Sequence, residues 1–443
     1  MMNLFRMLPP RSVEKIYDFY YFHLRRMLAA AIHLLGIFLL AMGRDVAGVK
    51  FTLLAARLNS TPSKVRAVMR IAQNHSDALG SLISSGVSRE EAVARSIILS
   101  LPELYEGGIK KGVILVAFTR TLAFYSGNIA LLKSLDRYFV FVIEPSSSGY
   151  ADPDILYFMN NTNTSLVQAT EVNDLALINS VYSKGRALSF GASNWIDSEV
   201  FKPSPHEKIY DSIYVANLNH VKRIYRYIDA VENIVNTADP NYKACLVCAQ
   251  WGKSKGDLAE RIMAMGLENN LRYFPGLARD DLIAELGKSK SSVLLSLKEG
   301  SNRSLFESMF VDIPVICLVE NSGVNKSYIN ENTGYLISDA ALEYAMLAMK
   351  NNYKMFSPRA WGLNNISADR TSGYLSAVLT SRFGGAVNSD LLIKVNRPEL
   401  EYVNPNLDGK QLMRTLLNGF SEGMNGHEMV VLEKLRVSLV DHR

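Results

Sequence analysis

The chain has few cysteines, and they are not arranged as in a disulfide scaffold or a zinc site. The three cysteines, Cys245, Cys248 and Cys317, all lie in apolar runs. Cys245 and Cys248 form a Cys-x-x-Cys pair, but the chain has no second pair and no histidine near it, which argues against a metal site. On a strand the two side chains would face opposite sides. We therefore predict core cysteines in a protein from a reducing compartment, which favours a cytoplasmic location.

The chain also lacks several motifs that mark common enzyme classes. It contains no H-E-x-x-H, no G-x-S-x-G and no P-loop sequence, so the usual signatures of zinc proteases, α/β-hydrolases and P-loop nucleotidases are missing. Asp152-Pro-Asp154 is a literal D-x-D, a pattern that can bind a metal ion. Because Asp-Pro-Asp is also common at a turn before a helix, we interpret it as such a turn and predict no metal site.

Positive charge is concentrated at the start of the chain. The net charge of the whole chain is +5. Residues 1–70 contain eleven Lys or Arg against three Asp or Glu, a net charge of +8, so the remaining residues carry −3. A basic N-terminal region indicates an anionic surface as partner. The region shows neither a nucleic-acid-binding motif nor base-stacking aromatic residues interleaved with its charges, so we predict anionic lipid rather than nucleic acid.

A long apolar run lies within this basic region. Met27 to Gly43 is seventeen residues long and has no formal charge, which is the lower limit for a helix that spans a bilayer. Charged flanks and a long polar lead-in argue against a signal peptide. Three interpretations remain: a buried helix, an interfacial membrane helix, and a true span. The basic and aromatic segment Tyr17 to Arg26 favours the interfacial helix, since Tyr and Arg prefer the headgroup level.

Apolar strands alternate with helical segments from Gly112 onward. Gly112 to Phe118 and Phe139 to Ile143 predict the first strands of one half, and Asp211 to Asn217 predicts the first strand of another. Before them, residues 46–106 have apolar residues at helical spacing, and after them the segment from Phe383 to Gly409 is typical of a loop. The sequence therefore predicts an α/β protein with two Rossmann-like halves and an added helical N-terminal region.

The stretch from Ser291 to Ser338 predicts a βαβ unit with a polar loop after its first strand. Val293 to Leu297 is a short apolar run, Arg303 to Phe310 has apolar residues at helical spacing, and another apolar run follows. Ser301 or Asn302 can cap the helix. Free N–H groups at the helix start favour an anion such as a diphosphate. Ligands of open parallel sheets bind at this edge.

Two glutamates flank the start of this helix. Glu299 lies in the polar loop and Glu307 lies early in the helix, with seven residues between them. A carboxylate at the position of Glu307 can accept hydrogen bonds from a ribose diol, and one at Glu299 can face a sugar beyond the diphosphate. Alternatively, Glu307 only complements the positive end of the helix dipole and Glu299 is a solvated loop residue.

The order of residues through this stretch resembles the C-terminal domain of GT-B glycosyltransferases, specifically the retaining enzymes of family 4. The signature of that family is E-x7-E, then a Pro-Val strand, a Gly loop and a closing Gly-Leu-Val turn. Glu299 and Glu307, Pro314-Val315, Gly323, and Gly334-Tyr335-Leu336-Ile337 match in that order. The resemblance implies a GT-B-like fold, in which two Rossmann-like domains face a cleft and the C-terminal one binds the donor.

The resemblance divides the chain into four parts. Residues 1–106 are a helical N-terminal region, expected to associate with a membrane. Residues 107–205 are the Rossmann-like acceptor domain, and residues 206–355 are the Rossmann-like nucleotide-sugar domain. Residues 356–443 are helices and loops that partly cross back. The acceptor domain is short for this fold, so the preceding helices are expected to pack onto it.

The resemblance also implies which residues bind the donor. In the family an Arg and, five residues on, a Lys hold the donor diphosphate; Lys222 matches the Lys, but Asn217 stands at the Arg position. Arg223, Arg303 or His220 can supply the missing cation. Without the resemblance, Lys222 and Arg223 suggest only a solvated helix start. The implied catalytic residues are Glu299, which orients the sugar without acting as a nucleophile, and Lys222. The implied substrate-binding residues are Glu307, Arg223, Ser301, Asn302, Arg303, Ser304, Leu305 and Phe274.

The implied activity is that of a metal-independent, hexosyltransferase-like enzyme without a cofactor. It transfers a sugar from a nucleotide-diphosphate sugar to an acceptor hydroxyl with retention of configuration. The basic N-terminus suggests a glycan or lipid-linked acceptor at the inner face of a membrane, as in the synthesis of surface polysaccharides or glycolipids. Two alternatives are a sugar-nucleotide epimerase of the GT-B type and a non-catalytic GT-B scaffold in a polysaccharide complex. The scaffold is suggested by Asn217 and by the short acceptor half.

Overall fold

The computed structural model describes residues 10–106, 108–145, 148–182, 186–249, 257–397, 399–421 and 427–440. Strands alternate with helices through most of the chain, which confirms the predicted α/β class. The α-helices are α1 (Pro10–Phe19), α2 (Arg25–Ala41), α3 (Asp45–Leu58), α4 (Pro62–Asn74), α5 (Ser76–Gly80), α6 (Arg89–Ala94), α7 (Leu122–Ser126), α8 (Ile129–Tyr138), α9 (Pro153–Asn160), α10 (Val172–Val181), α11 (Ile224–Thr237), α12 (Asp257–Ala264), α13 (Arg279–Gly287), α14 (Arg303–Phe310), α15 (Leu342–Asn352), α16 (Pro358–Asn365), α17 (Ala368–Phe383), α18 (Gly409–Ser421) and α19 (His427–Val440). The strands are β1 (Ser96–Ser100), β2 (Glu103–Tyr105), β3 (Gly108–Lys110), β4 (Gly112–Ala117), β5 (Phe139–Glu144), β6 (Leu166–Gln168), β7 (Ala187–Leu188), β8 (Ser212–Asn217), β9 (Ala244–Ala249), β10 (Leu271–Phe274), β11 (Ser292–Leu294), β12 (Val315–Leu318), β13 (Gly334–Ile337), β14 (Lys394–Asn396) and β15 (Leu400–Tyr402).

The chain folds into two compact units. Unit 1 comprises Ser198–Ile366 together with the N-terminal segment that ends at Leu24, and unit 2 comprises Arg25–Asp197 and Ser367–Arg443. These boundaries differ from the expected division at residues 106, 205 and 355. The helical N-terminal region is shared between the units, because α1 is bonded to unit 1 through side chains described below. The C-terminal segment joins the same unit as the first α/β half.

Unit 1 is built on a six-stranded sheet in the order β10-β9-β8-β11-β12-β13. All of its strand pairs are parallel. Counted along the chain, this is the 3-2-1-4-5-6 order of a dinucleotide-binding Rossmann fold. The winding direction reverses between β8 and β11, and ligands of such sheets bind at the carboxyl ends of the strands on either side of the reversal. In this unit, α14 and β12 have the predicted bounds, and β11 is shorter than the predicted apolar run.

Unit 2 is built on a five-stranded sheet in the order β1-β4-β5-β6-β7. β4 to β7 are parallel, and β4 and β5 each differ from the predicted strands by one residue at one end. The prediction of helix over residues 46–106 is wrong for Ser96–Ser100, which forms β1 antiparallel to β4. Every residue of this run is buried. Its β-branched isoleucines pack well on a sheet, and this tertiary packing outweighs a weak helical spacing.

Two short strands lie between Phe383 and Gly409, where the sequence predicted only a loop. β14 pairs with β15 in an antiparallel hairpin. Lys394 in β14 is fully buried, and its Nζ lies 2.8 Å from Oε2 of Glu144 at the end of β5. Its ammonium group also lies 4.6 Å from the ring centre of Trp195. The hairpin is thus held by partners more than 190 residues away in sequence, which local patterns do not encode.

Helix α2 is mostly exposed. Of its seventeen residues, only Ala29 and Gly36 are buried. A Cβ on Gly36 would lie 2.4 Å from Oγ1 of Thr52, so α2 approaches α3 closely along one narrow face. The interpretation of this apolar run as a buried helix is therefore wrong. By length and composition alone, the helix Arg11–Ala41 is able to cross a membrane.

The three cysteines are buried and unpaired, as predicted. Cys245 and Cys248 lie in β9, and Cys317 lies in β12. Burial raises the pKa of Cys248 and of Cys317 to about 12. Because the thiolate is the reactive form, these thiols are chemically inert near neutral pH.

The D-x-D sequence forms a turn before a helix, as we interpreted it. The carboxylate of Asp152 caps α9 by accepting a hydrogen bond from the N–H of Asp154 at 3.0 Å, and Arg57 pairs with it at 3.0 Å. The carboxylate of Asp154 accepts hydrogen bonds from the N–H and Oγ of Ser84 at 2.7 and 2.6 Å. Both carboxylates therefore have structural roles in unit 2.

Candidate active site

Lys222 and Glu299 meet where the winding of the unit 1 sheet reverses. Lys222 lies in a 3₁₀ turn, His220–Lys222, after β8, and Glu299 lies in the loop after β11. The Nζ of Lys222 is 2.6 and 2.7 Å from the two carboxylate oxygens of Glu299. Their side chains are only 17% and 7% exposed. The structure thus brings together the two candidate catalytic residues, and the interpretation of Glu299 as a solvated loop residue is wrong.

The loop that carries Glu299 is bonded to the loop after β12. The N–H of Glu299 donates to the carbonyl of Ser322 at 2.8 Å, and the N–H of Ser322 donates to the carbonyl of Leu297 at 3.0 Å. The hydroxyl of Ser296 donates to the Glu299 carboxylate, and Nδ2 of Asn321 donates to the carbonyl of Ser296 at 2.6 Å. These bonds fix Glu299 before a ligand arrives, and such preorganisation is what electrostatic catalysis requires.

Gly323 is a point of close approach between these two loops. Its φ is +108°, which favours glycine, and a Cβ built on it would lie 2.0 Å from the carbonyl oxygen of Glu299. We expect Gly323→Ala to force the loops apart and to lower the melting temperature of unit 1 by about 5 °C, as measured by calorimetry. Gly266→Ala is the matched control, because Gly266 also has positive φ (+68°) but no atom within 4 Å of its Cβ position. Equal shifts in the two variants would contradict the close-contact explanation.

The first turn of α14 lies against the end of β8. Oγ of Ser304 is 3.4 Å from the carbonyl oxygen of Val215. Of the two candidate caps, Asn302 is the N-cap, since its side-chain oxygen accepts from the N–H of Leu305 at 2.9 Å. The N–H of Leu305, expected to face an anion, is therefore already bonded. An anion at this helix end would rely on the N–H groups of Arg303 and Ser304, or would displace the Asn302 side chain.

Glu307 lies one turn into α14 and is partly buried. Burial raises its pKa, and the positive charge of Arg303, four residues earlier, opposes this shift. Its carboxylate has no hydrogen bond to another residue in the described part of the chain. A carboxylate that is partly desolvated and not yet bonded can accept hydrogen bonds from a ligand hydroxyl pair.

Arg223 does not present its guanidinium to a ligand. The residue is 2% exposed. Its guanidinium pairs with Asp18 at 2.8 and 2.9 Å on one side and with Asp339 at 2.6 and 3.1 Å on the other. Because two carboxylates already neutralise it, this placement argues against the expected role of Arg223 in binding a diphosphate. Arg223 instead bonds the N-terminal helix to unit 1.

Asn217 stands where the resemblance implies a diphosphate-binding arginine, and His220 does not replace that charge. The side-chain oxygen of Asn217 is buried and has no hydrogen-bond partner among the described residues. The ring of His220 packs edge-on against Tyr17, with 4.9 Å between ring centres. Burial lowers the pKa of His220, so its imidazole is neutral near pH 7. Of the three candidate replacements, Arg303 at the start of α14 remains.

The other two candidate residues lie at the same edge of the sheet. Phe274 ends β10, which is an edge strand two positions from β8, and the guanidinium of Arg272 lies 5.3 Å from its ring centre. Ser301 lies in the loop immediately before the N-cap Asn302. All of the candidate site residues therefore lie at or near the carboxyl edge of the unit 1 sheet.

Unit 2 has a polar sheet edge that sequence analysis missed. Glu144 ends β5 and Gln168 ends β6, which are adjacent parallel strands. Nε2 of Gln168, Oγ1 of Thr119 and Oγ of Ser148 are buried without a hydrogen-bond partner among the residues that the structure describes. An unpaired buried polar group costs about 1–3 kcal/mol, so these groups indicate a ligand or water at this edge. Their positions in the sequence show no pattern that marks a site, and only the observed strand ends bring them to one edge.

Glu14 on α1 caps the helix that follows Lys222. Its two carboxylate oxygens accept hydrogen bonds from the N–H groups of Arg226 at 2.8 Å and Tyr225 at 3.2 Å, at the start of α11. The side chain is buried. Burial raises the pKa of Glu14 to about 7, although the two backbone hydrogen bonds oppose the shift.

This raised pKa predicts a pH-dependent attachment of α1. The folded chain holds the Glu14 proton up to about pH 7, whereas the unfolded chain releases it near pH 4.5, so the associated stability is full below pH 4.5 and is lost as the pH rises to about 7. The contribution is at most about 3 kcal/mol. Calorimetric unfolding at pH 5 and pH 8 should therefore show a weaker pH dependence in Glu14→Gln than in the wild-type chain. Identical pH dependences would contradict this assignment.

Comparison with known proteins identifies the second α/β half. Residues 196–355 match the family described as glycosyl transferases group 1. This stretch is a glycosyltransferase domain. It contains Lys222, Glu299 and Glu307, so the resemblance to glycosyltransferases is confirmed for this part of the chain, whereas the assignment to the retaining enzymes of family 4 stays a prediction. A search of curated proteins finds no match.

Solved glycosyltransferase structures resemble the chain at low identity. TarM from S. aureus, in complex with Fondaparinux, alpha-GlcNAc-glycerol and UDP, is 18% identical over 58% of this chain and 59% of its own, with a TM-score of 0.43. HepE from Anabaena, in complex with UDP and glucose, is 16% identical over 60% and 77%, with a TM-score of 0.47. Sucrose-phosphate synthase from Thermosynechococcus elongatus is 16% identical over 61% and 74%, with a TM-score of 0.47. The chain thus spans less than two thirds of the length of TarM.

Proposed function

We propose that the chain is a retaining glycosyltransferase that moves a sugar of the hexose type from a nucleotide-diphosphate sugar to an acceptor hydroxyl. The observation that carries the proposal is the buried Lys222–Glu299 ion pair at the winding reversal of a glycosyltransferase domain. Glu307 lies one turn into the helix that begins at the same edge. A cation and two carboxylates near one edge of the sheet suit a donor whose diphosphate lies between a ribose and the transferred sugar.

In this proposal Lys222 stabilises the leaving group. Negative charge builds on the diphosphate as the bond between the sugar C1 and the phosphate oxygen breaks. The Nζ of Lys222 and the N–H groups at the start of α14 supply positive charge in a site that is largely shielded from water, where such stabilisation is strongest. The reaction therefore needs neither a metal ion nor a cofactor, and EDTA should leave the rate unchanged.

Glu299 orients the transferred sugar. With Lys222 engaged by the diphosphate, the Glu299 carboxylate is free to accept hydrogen bonds from sugar hydroxyls. We assign no nucleophile: the acceptor oxygen bonds to C1 on the face that the phosphate leaves, and the departing phosphate takes the acceptor proton. This route retains the anomeric configuration.

The acceptor is proposed to bind through unit 2. Gln168, Thr119 and Ser148 present buried polar groups without partners among the described residues, and hydroxyl groups of a glycan are suitable partners for them. The acceptor would be a glycan or lipid-linked glycan, in the synthesis of a surface polysaccharide or glycolipid. Thr119→Val and Gln168→Leu should then raise the KM for the acceptor and leave the KM for the donor unchanged.

We also propose that α2 docks on an anionic membrane surface at the cytoplasmic face. Its exposed apolar residues include Leu34 (71% exposed), Met27 (69%) and Phe38 (60%), and Arg25 and Arg26 precede them. An apolar helix face with basic flanks favours lipid with negative headgroups. Since α1 is bonded to unit 1, only the seventeen residues of α2 are available. They extend about 25 Å, less than the roughly 30 Å of a bilayer core, which favours an interfacial helix over a span.

Co-sedimentation with lipid vesicles tests this docking. The wild-type chain should bind vesicles containing phosphatidylserine, bind pure phosphatidylcholine vesicles weakly, and lose binding as salt is raised. Leu34→Glu combined with Phe38→Glu should abolish binding. Met355→Glu is the matched control, since Met355 is 78% exposed but lies in unit 1. Equal vesicle binding by the wild-type chain, the double variant and Met355→Glu would contradict the membrane proposal.

Thermal unfolding against a panel of nucleotides and nucleotide-sugars tests the donor proposal. A ligand at a hundred times its dissociation constant should add about 2.7 kcal/mol to the stability. We expect stabilisation by the diphosphates of one base and by their sugar conjugates. No shift with any nucleotide would favour a non-catalytic scaffold, the alternative that Asn217 suggests. A donor that binds but is converted without an acceptor to an isomeric nucleotide-sugar would favour an epimerase.

A further inference from the structure

The N-terminal helix is bonded to the loops of unit 1 that carry the proposed donor site. α1 continues into a π-helical turn, Tyr20–Leu24. From these elements, Asp18 contacts the residue after Lys222, and Tyr21 contacts the loops after β11 and β12. The first of these two loops carries Glu299. Neither contact was foreseen from the sequence, because each joins residues more than 200 positions apart.

Tyr21 adds a further hydrogen-bonded link between the two loops whose hydrogen bonds fix Glu299. Its hydroxyl lies 2.9 Å from the carbonyl oxygen of Leu297 and 2.9 Å from that of Glu320, so both loops share a single proton. The Leu297 carbonyl also accepts from the N–H of Ser322. Leu297 is two residues before Glu299, and the Tyr21 side chain is largely buried. The hydroxyl is therefore an internal crosslink between the loops.

The π-helical turn explains how Tyr21 faces the loops. An extra residue in a π turn shifts the faces of the helix around its axis, and such turns occur often at functional sites. Tyr21 is buried against unit 1, whereas Phe19 and Phe22 on either side are 57% and 40% exposed. A helix that turns a polar aromatic residue inward and leaves Phe19 and Phe22 exposed indicates a specific role for that residue.

Asp18 acts indirectly on Lys222, the second residue of the Lys222–Glu299 ion pair. Its carboxylate binds the guanidinium of Arg223 through two hydrogen bonds, opposite the two from Asp339. Arg223 has a φ of +55°, a conformation that non-glycine residues rarely adopt. Because Arg223 directly follows Lys222, the four hydrogen bonds hold the backbone from which the Lys222 side chain projects.

We propose that Tyr21 and Asp18 are positioning residues of the donor site, and that the N-terminal helix is therefore part of the catalytic machinery. Neither residue contacts the substrate; Tyr21 acts through the loop that carries Glu299, and Asp18 acts through Arg223 on Lys222. The inference rests on the proposed function and goes beyond the glycosyltransferase domain, since residues 10–24 lie outside the segment that matches the family.

Two conservative variants test this role. Tyr21→Phe removes one hydroxyl and keeps the ring, and Asp18→Asn removes one charge and keeps the shape. Each should lower kcat about tenfold, because small displacements of positioned groups cost rate, while the KM for the donor stays within about twofold. Asp18→Glu should recover part of the loss. Tyr344→Phe is the control for the hydroxyl deletion, since Tyr344 lies in unit 1 and is 78% exposed.

Amide hydrogen exchange separates this inference from the proposed function. In Tyr21→Phe the amides of Glu299 and Ser322 should exchange at least tenfold faster than in the wild-type chain, whether or not a sugar is transferred. Faster exchange in a chain without transferase activity would keep the positioning role and remove the function. Unchanged exchange, or an unchanged kcat with only a lower melting temperature, would overturn it. If Tyr21→Phe fails to fold, Asp18→Asn is tested instead: faster amide exchange at Lys222 and Arg223 would support the positioning role, and unchanged exchange there would overturn it.

Discussion

Lys222→Met is expected to lower the turnover number of sugar transfer about 10²- to 10³-fold, the usual effect of removing one preorganised group that stabilises developing charge. The side chain of Lys222 is 17% exposed, and both oxygens of Glu299 lie within 2.7 Å of its Nζ. Its removal deprives the leaving diphosphate of a cation and also leaves Glu299 without a charge partner. Initial rates at saturating donor and acceptor measure the effect.

A double-mutant cycle separates these two consequences. Glu299→Gln in the Lys222→Met background removes the unpaired buried charge, so it should restore much of the lost melting temperature but none of the lost activity. Lys202→Met is the matched control, because Lys202 is an exposed lysine of unit 1. Turnover by Lys222→Met at the wild-type rate would show that the leaving group is stabilised elsewhere.

Glu307→Ala is expected to weaken the binding of a nucleoside diphosphate about 10- to 100-fold, because it removes a charged acceptor for the ribose hydroxyls, a contribution of about 1.5–3 kcal/mol. Titration calorimetry measures the affinity directly and does not require the acceptor. Burial raises the pKa of Glu307. If the carboxylate is the form that accepts from ribose, the affinity of the wild-type chain should therefore decline on acidification at a higher pH than an ordinary glutamate would cause.

Glu331→Ala is the control for this charge removal, since Glu331 is an exposed glutamate in unit 1. It should bind the nucleotide as the wild-type chain does and show the same pH dependence. Wild-type affinity in Glu307→Ala would mean that Glu307 only complements the dipole of α14, the alternative interpretation of this residue.

Local signals in the sequence were sufficient for the central βαβ unit. Polar residues interrupt the apolar runs at both ends of α14, and Asn302 supplies its cap, so the bounds of α14 and β12 follow from near neighbours in the chain. Ser96–Ser100 was assigned to helix because apolar residues recur at helical spacing over residues 46–106 as a whole; packing on β4 decides in favour of a strand. The residues of the segment alone do not predict its packing on β4.

The candidate site shows the same division between local and distant information. Glu299 and Glu307 were found through their places in the βαβ unit together with the family signature, and Lys222 was found through the family resemblance. Arg223 was assigned to the ligand because Asp18, 205 residues earlier, gives no signal of pairing with it. Tyr21 was read only as a membrane-interface aromatic residue, although its hydroxyl bonds to a loop 276 residues away. Single polar residues that pair over such distances leave no periodic pattern.

Proton NMR of a nucleotide-sugar incubated with the chain tests the central claim most directly. The mixture would contain a lipid extract as the source of acceptor and EDTA to remove divalent metal ions. The account predicts that the anomeric proton signal of one donor declines, that free nucleoside diphosphate appears, and that the new glycoside has the anomeric configuration of the donor. An intact donor, an isomerised nucleotide-sugar, an inverted product or a strict need for a metal ion would contradict it.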